Sequence, residues 1–503
     1  MWVHRTRDDV RVIARYLGML VVGIGLLMAV PLVTALALGE WGPALDYFAG
    51  AGLAIGFGSV LMLAAPRRAS LNASNGLIVT ALGWLFAALC AAVPLVLSGH
   101  YGSYLDALFE SMSSLTTSGL TLVQDLDHLA NAHNMWRHLM HLVGGQGIVV
   151  AVLSFALAHG GGAVSLYLAE ARDERIMPNV IHTVRFIWFV TAVYVLLGTT
   201  ALSILNLIRG MDAVRATLHA FWVTVATFDT GGFGPQSQNA LYYHSAWFEW
   251  VTVMLMLAGT FNFNLHADIW RGDRRELFKN TEVRTLALNI FVLSVLVSGG
   301  LASTQAFGSG FEVVRKGIYH ILSANTGTGH QTLYAAQWMR DYGGLGFVAV
   351  VLAMAFGGMA SSTAGGIKSL RVGLIVKGVV RWVKAALAPP SAIVTARFHH
   401  MKQRVLQPEM LASALMIATL YVFTYVTGAV VGVACGYGVP ESVFESVSAA
   451  ANVGLSTGIT SPSMPSILKI TYILQMWAGR LEFIALFVLV ATLLQPVLGW
   501  RRR

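Results

Sequence analysis

Four stretches of this 503-residue chain share one pattern, an aromatic residue followed by a glycine ten positions later. They are 109–119 (FESMSSLTTSG), 222–232 (WVTVATFDTGG), 319–329 (YHILSANTGTG) and 444–454 (FESVSAAANVG), and two of them begin with the same Phe-Glu-Ser. Four places after each aromatic stands a small residue: Ser113, Ala226, Ser323 and Ser448. The residues leading into each glycine are Thr116-Thr117-Ser118, Asp229-Thr230-Gly231, Thr326-Gly327-Thr328 and Ala451-Asn452-Val453. They are small, and most carry a hydroxyl, an amide or no side chain. Such residues let a backbone run extended with its carbonyl oxygens turned inward, and glycine opens conformations closed to other residues. Rings of carbonyls that replace a hydration shell bind alkali cations. The chemistry these spacings offer is cation coordination by main-chain oxygen, at the loops that end in Gly119, Gly232, Gly329 and Gly454.

Other polar residues offer less. In 356–371 (FGGMASSTAGGIKSLR), Gly357, Gly358, Ser361, Ser362, Thr363, Gly365 and Gly366 weaken what would otherwise be one long apolar helix. These hydroxyls have no His or acid in fixed register, so no catalytic residue and no enzyme activity is expected. His128, His133, His138 and His141 span a loop and a helix start without a Cys or carboxylate frame. No metal site is expected beyond a cation at the four loops. No GxxxxGK[ST] stretch occurs, so the chain has no nucleotide site of its own. Arg480 lies inside an apolar run, where a charge is costly and marks a cavity or a partner; Glu110 or Glu445 would serve as a structural ion-pair partner. Asp125 and Asp127 follow the first loop, as a cation-attracting mouth or a solvated rim.

The elements that must carry these loops follow from composition. The chain is 56% hydrophobic and only 11% charged, against about 25% charged in a soluble domain. Apolar runs at 16–38, 77–97, 181–207 and 482–498 reach the roughly 20 residues that a helix needs to cross a bilayer. The first is too long for a cleavable signal peptide. Each glycine loop is flanked by long apolar stretches, so the unit is long helix, half-length helix with loop, long helix. Its copies fall at about 74–158, 180–267, 281–384 and 405–500, after two extra spans near 11–38 and 45–65. A half-helix of roughly 10–12 residues is too short to cross and must dip in and return. Irregular backbone at membrane depth is tolerated only inside protein or along a watery cavity, a condition met when four such loops converge on one axis. The half-helices would also aim their partly negative C-terminal ends at that axis.

The expected fold is therefore an all-α integral membrane protein: four pseudo-repeats of helix, re-entrant pore loop and helix around a central pore, plus two N-terminal transmembrane helices. The divisions are 1–73, 74–179, 180–280, 281–404 and 405–503. With the N-terminus cytoplasmic, Lys and Arg gather on the inner side, for example at Arg5 to Arg15, Arg67, Arg68, Arg172, Arg175, 271–284, 368–404 and Arg501 to Arg503. The exceptions are Arg137, Arg209, Arg215, Arg315, Lys316, Arg340 and Lys469 outside and Arg480 within a span. This is the positive-inside rule. The net charge of +9 thus reports topology, with both termini cytoplasmic, and not nucleic-acid binding. Cys90 and Cys435 sit in apolar runs as small hydrophobes.

On the four loops, on 356–371, on MWAGRLEF (476–483) and on Gly144-Gly145 after Trp136, the chain resembles the Trk/Ktr/HKT superfamily of K⁺ transporters, specifically its TrkH-type bacterial subunits. The two leading spans fit that type. The resemblance implies a selectivity filter at Thr116, Thr117, Ser118, Gly119, Asp229, Thr230, Gly231, Gly232, Thr326, Gly327, Thr328, Gly329, Asn452, Val453 and Gly454. In the family a glycine in the first loop goes with K⁺ and a serine with Na⁺. Asp229 stands where an amide is common; it either strengthens cation binding or sits off-axis. The resemblance makes 356–368, with Gly357, Gly358, Ser361, Ser362, Thr363, Gly365 and Gly366, an intramembrane gate. Lys368 is expected at its cytoplasmic mouth, and Arg480 as a barrier below the filter. It further implies K⁺ uptake across a bacterial cytoplasmic (inner) membrane and no covalent cofactor. It implies a homodimer docked on a cytosolic ring of TrkA-type nucleotide-binding subunits, through which alone a nucleotide acts. The basic segments 271–284 and 377–404 are candidate docking or anionic-lipid surfaces. A coupled K⁺/H⁺ or K⁺/Na⁺ symporter is the alternative on the same scaffold.

Overall fold

The computed structural model describes residues 6–63, 71–147, 180–305, 307–335 and 337–494. The continuation of the first repeat to about 158 lies outside the described residues, as do Arg5, Arg67, Arg68, Arg172, Arg175 and Arg501 to Arg503. Helix dominates. The two leading spans are α1 (Arg7–Leu27) with α2 (Ala29–Leu38), and α3 (Trp41–Leu63). The first repeat contains α4 (Ala73–Leu97), α5 (Tyr104–Leu115) and α6 (Asn131–Gln146). The second contains α7 (Val180–Ile208), α8 (Ala213–Phe228), α9 (Ala246–Thr260) and α10 (Phe263–Trp270). After the short α11 (Glu276–Lys279), the third contains α12 (Thr281–Thr304), α13 (Gly310–Asn325), α14 (Gln337–Asp341), α15 (Gly343–Ala355) and α16 (Ser369–Leu387). The fourth contains α17 (Pro408–Ala434), α18 (Val439–Ala450), α19 (Ser466–Arg480) and α20 (Ile484–Leu494).

Among the described residues, six helical spans are long and apolar enough to cross a membrane: the two leading ones and the first helix of every repeat. The second helix of the third repeat is interrupted after Ala355, at the glycine-rich run where an interruption is expected, whereas those of the second and fourth repeats, expected as long spans, also break, after Thr260 and Arg480; α19 and α20 meet at 116°. In the first repeat α6 ends at Gln146. Arg480 is accordingly the last residue of a helix and not the middle of one, and Glu482 and Phe483 beyond it have φ of 50° and 71°. Two repeats share a close approach at the end of the second helix. A Cβ on Gly144 would overlap the carbonyl oxygen of Leu115, and one on Gly259 that of Phe228. In both, the second helix presses bare backbone against the last turn of the half-helix.

The half-helices α5, α8, α13 and α18 begin at capping signals. Ser103, Asp212 and Ser309 accept N–H groups of the first turn, and Pro440 stands at the start of α18, where its missing N–H costs nothing. They are 12, 16, 16 and 12 residues long, so α8 and α13 exceed the expected length. At ~1.5 Å per residue all remain too short to cross ~30 Å of hydrocarbon. Their aromatic markers Phe109, Trp222, Tyr319 and Phe444 are all buried.

The chain forms two compact units that cut across the repeats: residues 1–116, 121–189 and 461–503, and residues 117–120 and 190–460. In the first, α1 packs on α3 and α4, α5 lies against α4 and α6, and α19 and α20 close onto α5 and α4. Trp136 and Trp477 each donate an indole N–H to a carbonyl of α4, Ala91 and Ala81, both at 3.1 Å. In the second unit, α12, α13 and α15 pack together, α9 lies on α13, and α18 lies on α15 and α17. Two small sheets complete it. Strand β1 (Phe356–Gly357) pairs in parallel with β2 (Ile367–Lys368), and β3 (Arg397–His400) pairs antiparallel with β4 (Lys402–Val405). The basic residues expected outside are mostly neutralised. Arg137 is fully buried on Glu110 at 2.8 Å, Lys469 meets Asp106 at 2.5 Å, and Arg315 meets Glu249 at 2.8 Å.

Candidate functional site

Each half-helix ends in the same way. Thr116, Asp229, Thr326 and Ala451 cap the four helices with φ between −87° and −76° and ψ near 0°. The next residue in every case is left-handed: Thr117 (φ 55°), Thr230 (52°), Gly327 (73°) and Asn452 (55°). Two residues further, Gly119, Gly232, Gly329 and Gly454 have φ of 77°, 70°, 84° and 93°. Four loops of different sequence thus share one backbone.

The small residue four places after each aromatic now has a reason. Gly231 and Gly232 donate their N–H groups to the Ala226 carbonyl, and Thr328 and Gly329 donate theirs to that of Ser323. Val453 donates to the Ser448 carbonyl and Gly454 to the Ser448 hydroxyl. The loop folds its donors back onto its own helix and leaves its acceptors over. No hydrogen bond reaches the carbonyl oxygens of Gly231, Thr328 or Val453 among the described residues, although all three residues are buried. Unpaired buried carbonyls are rare.

These acceptors meet in a ring, all of it within the second unit. A Cβ on Gly119 would overlap the Gly231 oxygen, one on Gly232 the Thr328 oxygen, one on Gly329 the Val453 oxygen, and one on Gly454 the Ser118 oxygen. The order closes on itself. The Gly119 Cα would stand only 2.8 Å from a Cβ on Gly454. Side chains brace the ring from behind: Asn452 Nδ2 donates to Ser118 Oγ at 2.7 Å, and Thr326 and Thr328 share a hydroxyl bond of 2.8 Å. His330 joins Thr227 Oγ1 and Asn239 Oδ1, both at 2.8 Å, while Asn239 Nδ2 donates to the Gly232 carbonyl at 2.8 Å. His330, Asn239 and Thr227 were not singled out by sequence; a polar residue directly after Gly329 was the available signal.

The segment 356–368 is an ordered loop closed by β1 and β2, in register Phe356 to Ile367 and Gly357 to Lys368. Thr363 Oγ1 donates to the carbonyls of Gly259 (2.9 Å) and Phe228 (3.2 Å) and lies 3.1 Å from Thr230 Oγ1. Ser362 Oγ donates to the Met359 carbonyl at 2.7 Å, and Ala360 N–H donates to Glu282. A Cβ on Gly365 would meet that of Asn452 at 2.9 Å, and one on Gly327 would meet Gly365 N at 3.3 Å. The loop therefore touches residues of the second, third and fourth ring segments. Gly358 lies against Thr260, and Gly366 takes φ 72°. Lys368 turns back: it is buried, and its ammonium donates to the Ala364 carbonyl of the same loop.

Arg480, in the first unit, reaches the last carbonyls of α6, Gly144 and, at 3.2 Å, Gly145. Its guanidinium stands 5.6 Å from the Trp84 ring centre. Glu110 is taken by Arg137 instead. Asp125 sits beside His128 at 2.8 Å on the surface, and that hydrogen bond holds its carboxyl below the usual range. Among the described residues no group of three His, Cys, Asp or Glu could hold a metal.

The family model for TrkH, described as cation transport protein, matches residues 46–497. The chain belongs to this family. It is thus a multi-pass membrane transporter and not an enzyme. It is 28% identical over 494 residues to the Trk system potassium uptake protein TrkH of Halomonas elongata, covering 96% of this chain and 98% of the relative. It is also 28% identical to a cation transporter of Methanocaldococcus jannaschii, with 97% of each chain covered. The crystal structure of the potassium transporter TrkH from Vibrio parahaemolyticus superposes with a TM-score of 0.82 at 23% identity, over 98% of this TrkH-family chain and 99% of that one. That likeness establishes the fold.

Proposed function

We propose that this TrkH-family protein takes up K⁺ through a gated pore whose selectivity filter is the ring of four loops. The observation that carries the reading is the closed order of glycines and buried carbonyls. The Gly231, Thr328 and Val453 oxygens, which accept no hydrogen bond among the described residues, are available to a cation that has shed its water. The left-handed backbone supports it. Thr117 and Thr230 are β-branched residues at positive φ, and such strain persists where a site over-determines it. Asp229 is buried at the end of α8 beside the ring, where its carboxyl oxygens would add to the attraction for a cation. Gly119 in the first loop, where the family resemblance pairs glycine with K⁺, favours K⁺ over Na⁺.

The loop 356–368 acts as the gate, held closed by Thr363 and electropositive through Lys368, with Arg480 as a second barrier. Relatives named as parts of a Trk system favour a protein that works with further components; the reading makes these a second copy of the chain and a cytosolic nucleotide-binding partner docked through 271–284 and 377–404, at a bacterial inner membrane. Purified protein in vesicles tests the reading. K⁺ flux should exceed Na⁺ flux at least tenfold, with a reversal potential set by the K⁺ gradient and indifferent to pH. A reversal potential that follows H⁺ or Na⁺ would make it a symporter, and equal fluxes would remove the filter.

A further inference from the structure

The chain leaving each ring segment is held by a second pattern, read from other residues. In the first repeat Glu110, next after Phe109, accepts the N–H of Leu122 at 2.8 Å. In the fourth, Glu445, next after Phe444, accepts the N–H of Thr457 at 2.9 Å. In the third, His320, next after Tyr319, accepts the N–H of Thr332 on Nε2 at 3.0 Å. Leu122, Thr332 and Thr457 each stand three residues after their glycine. For Nε2 to accept, the imidazole proton must sit on Nδ1, which faces the Tyr342 hydroxyl. Glu110, His320 and Glu445 are all fully buried. The second repeat departs on both sides of the bond at once. Val223 follows Trp222, and Pro235 stands three residues after Gly232. Valine has no acceptor to offer, and proline has no N–H to satisfy but holds its own φ.

We infer that Glu110, His320 and Glu445 are positioning residues that set the outer end of the selectivity filter through these three N–H groups, and that Pro235 replaces the bond in the second repeat. The inference rests on the filter reading above. A buried N–H that loses its acceptor forfeits a hydrogen bond and strands a donor. The exit segment then shifts to find another partner, and the carbonyl spacing that distinguishes ions loosens with it. Conduction survives this, but discrimination does not. Glu110 also carries Arg137 at 2.8 Å, whereas the other bonds to Glu445 come from Ser456, Thr457 and Thr460 of the same exit segment, so Glu445 and His320 test the tether without breaking an ion pair.

Reversal potentials of the full-length protein in vesicles measure the K⁺ over Na⁺ permeability ratio. Glu445→Ala and His320→Ala should lower it at least about tenfold, the scale of one lost hydrogen bond, each variant losing more than one, while Glu445→Gln, which keeps an acceptor, stays within about threefold of wild type. Pro235→Ala should lower the ratio, and adding Val223→Gln should restore it by supplying the missing acceptor. Ratios unchanged in both alanine variants would overturn the inference. If those variants do not fold, failure of Val223→Gln to recover Pro235→Ala overturns it instead. Gly119→Ser, measured alongside, separates the two claims. Wild-type selectivity there sinks the filter reading itself, whereas altered selectivity there with unaltered Glu445→Ala and His320→Ala sinks only the tether.

Discussion

Gly329 shows what a single atom decides at the ring. Its φ of 84° costs an L residue about 1–2 kcal/mol, and its missing Cβ is replaced by the Val453 carbonyl. Gly329→Ala should therefore abolish K⁺ flux in vesicles while Gly308→Ala, at a position with open space around it, leaves flux at wild type. Thr363 is the corresponding residue of the gate. Thr363→Val keeps its shape but removes the bonds to the Gly259 and Phe228 carbonyls, worth about 1–3 kcal/mol when buried. Basal K⁺ flux without any partner should rise on the order of tenfold; flux unchanged would mean the loop is not what closes the pore. The ring residues were legible because small residues and glycine recur at one spacing in four places. The partner of Lys368 was not, since a lysine beside a glycine-rich run reads as a charge at the mouth and its spacing names no acceptor. Only the backbone path shows that its ammonium returns to Ala364.

At the scale of elements, the half-helices were readable from the glycine-bearing segments set between long apolar stretches, and the first helices from hydropathy. The break after Ala355 was readable from its glycines, but those after Thr260 and Arg480 were not. The stretch leading into Gly259 is apolar up to its break, with Asn262 and Asn264 only beyond it, and hydropathy does not register that a neighbouring carbonyl comes too close for a side chain. Gly144-Gly145, Gly259-Thr260, Gly357-Gly358 and Gly479-Arg480 occupy matching places in the four repeats, 25 to 29 residues after each ring glycine. Arg480 thus stands where the other repeats have a small residue, and it spends its charge on the C-terminal carbonyls of α6. That end of a helix carries partial negative charge. Arg480→Ala should lower the melting midpoint of the purified protein, by the loss of about 1.5–3 kcal/mol from charged hydrogen bonds, with Arg480→Lys intermediate. A midpoint unchanged in both would mean that the residue acts on ions alone.

For the whole molecule, the fourfold repeat was legible and the contact units were not. Sequence divides the chain by copy, whereas packing assigns the last helices, α19 and α20, to the unit of α4 and α5, and residues 117–120 to the other. The pairings that do this, such as Lys469 with Asp106 and Trp477 with Ala81, join residues hundreds of positions apart, which no local spacing reveals. Everything proposed about transport depends on carbonyls from four copies serving one ion. Anomalous diffraction from crystals soaked in Rb⁺ tests this most directly. The expected result is a peak on the axis of the ring, within about 3 Å of the carbonyl oxygens of Ser118, Gly231, Thr328 and Val453, the reach of main-chain oxygens that stand in for hydration water. Rb⁺ bound elsewhere in the protein, with none at those four oxygens, would contradict the account.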